Sequence, residues 1–150
     1  VPENEVYYFG YFSRTIIKKP DGSNGPYPPT LGHIWVDVND NLPSANPPQE
    51  PYLKLVDNKI QIKLWKRAYP ESRFSDVATL VTEFSQDPAY NLGYGSGPIT
   101  GISVGDVYAI KFDEGIYALM YIRRVDNGTE NTSSKQSGIE FRAVYPIYIF

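Results

Sequence analysis

"VDVNDNLP", residues 36–43, places Asp37, Asn39, Asp40 and Asn41 within a five-residue window. Four oxygen-bearing side chains at that spacing suit a hard cation, and Ca2+ is the ion such a set would hold. The same stretch also reads as an Asx-rich turn ending a strand, because Asp and Asn satisfy nearby backbone groups. His33 is the single histidine and Met120 the single methionine. Beside the tyrosines they are the side chains able to ligate a haem iron. A third set is aromatic: Tyr27, Tyr90 and Tyr94 stand among Gly and Pro in turn-rich stretches. Rings so placed meet a ligand with little ordering cost.

Catalytic frames are sparse. With one histidine there is no two-histidine metal site, and no G-x-S-x-G elbow surrounds a serine. A Ser–His–Asp triad stays open, since its members meet only in space. Seventeen acids offer many carboxylate pairs for glycoside hydrolysis, and the sequence singles out none. "NLGYGSG" lacks the Lys-Ser/Thr ending of a phosphate loop and reads as a cluster of turns.

The balance of the chain narrows the partners. A net charge of −3 leaves no basic surface to neutralise a run of phosphates, which argues against nucleic acid. The apolar runs are short and interrupted, so no segment reads as a transmembrane span. No cysteine is present, which excludes disulfides and thiolate sites. The chain opens "VPENEV" without an initiating Met, and the expectation is a processed or truncated chain whose targeting segment is missing, with secretion or envelope anchoring as the hypothesis. "NGT" at 127–129 and "NTS" at 131–133 are glycosylation sequons in a polar loop.

Thirteen Tyr and seven Phe beside thirteen Pro and twelve Gly describe strands separated by turns. Residues 5–18 read as one long strand or a pair broken near Gly10, and 33–38 as another strand. Residues 52–67 read as two strands about an Asp57-Asn58 turn. In the second, Ile60, Ile62 and Leu64 share a buried face, and Lys59, Gln61, Lys63 and Trp65 a wet one. "SDVATLVTEF", 75–84, carries Val77, Leu80, Val81 and Phe84 at helical spacing, with Ser75 as the expected cap. "GDVYAIKFDEGIYALMYIRR", 105–124, reads as a hairpin turning at Asp113-Glu114-Gly115. Its second arm is apolar on both faces, as in a central strand. The expected fold is all-β, a single domain over 1–150. It is an antiparallel sandwich or flattened barrel with at most one short helix near 75–84.

Two resemblances add to this reading. The 36–43 stretch resembles the D-x-N-D-N linker of cadherin repeats over about eight residues. It implies a calcium-stabilised adhesion domain, although "QEPYLKLVDNKIQIK" does not carry the acidic motifs of adjoining repeats. From 72 onward, "SRFSDVATL", a Gly-rich stretch, "GDVYAIKFDEGIYALMYI" and "SGIEFRAVYPIY" together resemble the HmuY-like haem-binding family of Bacteroidetes cell envelopes. That resemblance covers about half the chain and implies an all-β envelope protein that binds haem or another small ligand through loops at one end.

The leading expectation is a non-catalytic binding module, secreted or envelope-anchored. Its partner would be a small molecule, a glycan or another envelope protein. Haem capture, calcium-stabilised adhesion and a carbohydrate-active enzyme are the rival expectations.

Overall fold

Residues 105–112 and 115–124 pair as the hairpin their alternation predicts, and the expected turn residues Asp113 and Glu114 lie outside the described residues. Strand β5 (Val107–Lys111) lies antiparallel to β6 (Ile116–Asp126), with Val107 opposite Tyr121 and Lys111 opposite Tyr117. The hairpin closes with Phe112 N donating to Ile116 O at 3.1 Å. In the computed structural model of the chain, residues 3–10, 34–37, 52–55, 60–112, 115–126 and 138–150 are described.

Around this hairpin stand β1 (Glu3–Gly10), β4 (Gln61–Lys66) and β7 (Gly138–Tyr148), giving a five-stranded sheet in the order β1-β7-β6-β5-β4. Every pairing is antiparallel. β6 is the middle strand, which explains its double apolar face. Ala118, Met120 and Ile122 enter one core and Tyr117, Leu119 and Tyr121 the other, none more than 6 % exposed. Pro146 lies within β7, where the register against β6 shifts between Tyr117 and Leu119. A bulge is where an interior strand tolerates a residue without an N–H.

The first core is closed by a second, two-stranded sheet of β2 (Ile34–Asp37) and β3 (Tyr52–Leu55). The expected two strands in 52–67 both form, yet they belong to different sheets. Residues 95–99 run between them. Leu53 and Ile99 exchange backbone hydrogen bonds at 3.0 and 2.9 Å, and Ile62 and Gly95 do so at 2.8 and 2.9 Å. With β1 also touching β2, the strands wrap around Leu53, Ile62, Tyr108, Met120 and Phe141 as a flattened, barrel-like wall. Asp57 and Asn58 lie outside the described residues.

The second core is on the other face of the sheet and is roofed by helix α2 (Val77–Gln86), preceded by a single turn, α1 (Glu71–Phe74). The expected helix is therefore present, with one extra turn before it. Leu80 and Phe84 are fully buried, flanked by the partly buried Val77 and Val81. Each fully buried side chain of that size contributes about 1.5–3 kcal/mol. The cap is Asp76, not Ser75: its carboxylate accepts from Thr79 N at 3.3 Å and Thr79 Oγ1 at 2.8 Å. Ser75 instead donates back to Glu71 O at the end of α1. Among the described residues no helix is long and apolar enough to cross a membrane.

Candidate functional site

Helix α2 ends because Pro88 follows it. The residue before a proline is driven out of the helical region, and Asp87 is extended at φ −69°, ψ 121°. Its carboxylate then serves two donors: the Trp65 indole Nε1 at 2.7 Å and Ala89 N at 2.9 Å. The Ala89 N–H foremost, then Trp65, holds the Asp87 carboxyl below its ordinary value.

Trp65 reaches the helix because β4 bulges. Leu64 pairs with Tyr108 and Lys66 with Val107, so two residues of β4 span one of β5. The expected buried face of β4 holds at Ile60 and Ile62 and fails at Leu64, which is 36 % exposed. The face read as wet is covered at its end, where Trp65 packs on Phe84 edge to face at 5.3 Å and on Tyr69 at 5.8 Å. The Lys66 ammonium stands 5.3 Å from the indole. Trp65 stays half-buried, its orientation set by a hydrogen bond and two rings.

Between Trp65 and the side of α2 runs an open groove of about 690 Å³. The helix contributes Thr79, Thr82, Glu83 and Gln86 to its lining, and Arg73 reaches in from α1. Within the lining, Glu83 accepts from the Tyr69 hydroxyl at 2.7 Å and pairs with Arg73 at 2.8 Å. Burial, with Glu83 second, pushes the Tyr69 hydroxyl well above its ordinary pKa. Glu83 and Asp87 are thus two carboxylates in one groove, each already bound to two donors.

Tyr90 and Tyr94, expected at a ligand surface, are brought together and spent on packing. The Tyr94 hydroxyl donates to Tyr90 O at 2.5 Å, and both rings contact Tyr117, at 5.6 and 6.2 Å. Lys63 pins their loop by donating to Ala89 O and to Leu92 O, the latter at 2.8 Å, while lying over the Tyr94 ring. Desolvation lowers the Lys63 pKa, and Asp87 opposes it. Met120 is 0 % exposed, opposite Tyr108 and Ala143 in the first core. Asp37 ends β2 opposite Tyr52. Tyr27, His33, Asn39, Asp40 and Asn41 lie outside the described residues. Among the described residues no group of three His, Asp or Glu is arranged to hold a metal ion.

A second polar cluster sits where α1 meets β6 and β7. Glu71 Oε2 accepts from Arg123 Nε and Arg142 Nε, each at 2.8 Å, and Arg123 Nη1 donates to Glu140 at 3.0 Å. Arg124 stands 3.5 Å from the other Glu140 oxygen. Alternating charge ties these elements together.

Trp65 and its groove were missed by sequence reasoning, although a signal existed. A large aromatic on the polar face of a strand is either covered by another element or held for a ligand. Here Phe84 and Tyr69 cover Trp65 in part, and the indole stays half-buried. Comparison with known protein families, curated proteins and solved structures returned no match.

Proposed function

We propose that the chain is a non-catalytic binding module of a secreted or cell-envelope protein, and that its ligand lies in the groove between Trp65 and α2. The observation that carries this is the fixed, half-buried Trp65 indole at the wall of a groove edged by hydroxyl, amide and charged groups together with Ala78 and Pro88. Ligand sites combine a preformed apolar surface with a few oriented polar groups, and the volume falls in their usual range of roughly 300–1,000 Å³. Residues 72–150 keep the order of helix, Gly-rich stretch, hairpin and last strand that resembles HmuY-like envelope proteins, which supports placement outside the cytoplasm.

Binding is favoured over catalysis by the state of the two carboxylates. A glycosidase acid must keep its proton near neutrality, which needs a raised pKa. Asp87 is held low, and Glu83 is occupied by Tyr69 and Arg73. Haem is disfavoured because, among the described residues, no histidine, methionine or tyrosine lines the groove, and Met120 is sealed in the other core.

The test is a ligand screen read as thermal stabilisation, since a ligand that binds only the folded state raises the melting temperature. The screen is repeated with Ala78→Trp, which fills the groove from an exposed helix position. Ligands of this site stabilise the wild type and not the variant. Ligands that stabilise both equally would place the site elsewhere.

A further inference from the structure

We infer that the groove takes a neutral oligosaccharide, with one pyranose ring stacked on Trp65. This rests on the groove being the binding site and names the class of ligand it receives.

The first reason is shape and pre-organisation. A pyranose carries a face of C–H groups surrounded by a rim of hydroxyls. It matches a flat aromatic surface bordered by hydrogen-bonding side chains. The Asp87 hydrogen bond and the Phe84 contact already hold the indole, so binding does not need to order it.

Spacing is the second reason. Thr82 and Gln86 are exposed, both line the groove, and they stand one turn apart on α2. A separation of four residues is about 6 Å along a helix axis, comparable with one sugar unit. The Gln86 amide supplies both donors and an acceptor, and the Thr82 hydroxyl supplies one of each. Such groups serve sugar hydroxyls without regard to charge.

Charge is the third reason. The ionic side chains of the lining are Lys66, Arg73, Glu83 and Asp87, which cancel. Arg73 is paired with Glu83, and Asp87 is taken by Trp65 and Ala89. The groove therefore presents little net field to select an anion or a cation. The groove is open to solvent along its length, which suits a ligand longer than one sugar unit.

The test uses a Trp35→Phe background, in which Trp65 is the remaining tryptophan. Its emission is followed while cellohexaose, xylohexaose, mannohexaose and maltohexaose are each raised to millimolar concentration, with a proline-rich decapeptide as the non-carbohydrate arm. The expected result is saturable change with at least one hexasaccharide, which is recovered uncut. Gln86→Ala weakens it about threefold. Thr82→Arg, at an exposed position outside the core, weakens it at least about tenfold, equivalent to about 1.4 kcal/mol. Saturation by the peptide and by no hexasaccharide would overturn the ligand class and leave the site standing. Hexasaccharide binding that Thr82→Arg leaves unchanged would overturn the groove as its site. No response from any probe would overturn the oligosaccharide assignment, and the thermal screen with Ala78→Trp then decides whether the groove binds anything.

Discussion

The Tyr108 hydroxyl donates to the Asp106 carboxylate at 2.9 Å, and each residue is only 1 % exposed. Ser103 N adds a second donor at 3.0 Å and Arg67 a third at 3.3 Å, so the buried acid is fully served. The G-D-x-Y stretch at the start of the hairpin is thus a structural clamp. It joins β5 to the 67–69 segment, where Tyr69 N donates to Gly105 O at 2.9 Å. Asp106→Ala leaves the Tyr108 hydroxyl and the Ser103 N–H without their acceptor at a buried hole, while the largely exposed Arg67 turns to water. Stranding such donors costs about 1–3 kcal/mol, measurable by urea denaturation. Tyr108→Phe, which removes one hydrogen bond and keeps the ring, costs about 1 kcal/mol.

Gly105 and Ala68 form the backbone part of that clamp. Gly105 has φ +91°, and a Cβ there would lie 3.2 Å from the Ala68 Cα. Gly105→Ala is expected to destabilise by about 1–3 kcal/mol through strain and crowding. Ala68 itself sits at φ 51°, a region that costs a residue with a side chain about 1 kcal/mol. Ala68→Gly is therefore expected to leave stability unchanged or raise it slightly, the opposite sign from its neighbour. Paired melting curves check both.

Met120 separates a core role from a ligand role. With 0 % exposure, Met120→Ala leaves a cavity and costs about 2–5 kcal/mol, whereas Met120→Leu conserves volume and costs less than about 1.5 kcal/mol. Any haem absorbance change on titration is expected to be the same for wild type and Met120→Leu. Loss of the change in Met120→Leu would make the sulfur a ligand.

Acid sensitivity follows from Glu71. Its carboxyl is held below the ordinary 4.5, foremost by the hydrogen bond from Arg142, with Arg123 adding. A folded-state pKa below the unfolded one gives stability that is full above the unfolded value and is lost as pH falls through the folded value. The wild type therefore loses this contribution below about pH 4.5. Glu71→Gln should be less stable than wild type at neutral pH, with the difference shrinking in acid. Added salt should reduce that difference, because the cluster is partly exposed. Urea midpoints across pH check the sign.

Much of this fold was legible in the sequence. The 105–124 alternation gave both hairpin arms and the central place of β6, because a strand covered on both faces has no polar side. The i, i+3, i+4, i+7 spacing gave α2, since one apolar stripe had to meet a sheet. The cap moved from Ser75 to Asp76 because two neighbouring capping residues compete and the chain makes a turn first. What was hidden was non-local. Nothing near Tyr52 or Gln61 tells that residues 95–99 insert between their strands. Tyr90 and Tyr94 looked available because they stand among Gly and Pro, yet Tyr117 lies across the sheet to receive them. Trp65 needed the β4 bulge and the Pro88 stop together, and neither shows in local alternation.

The central claim is that ligand meets this chain along Trp65 and α2. Amide chemical-shift mapping of the full chain with the neutral hexasaccharides tests it most directly. The account predicts shifts grouped at Trp65, Lys66, Arg73 and residues 78–87, with the Met120 core unmoved. Shifts grouped elsewhere, with the amides of Trp65 and α2 silent at saturation, would contradict it.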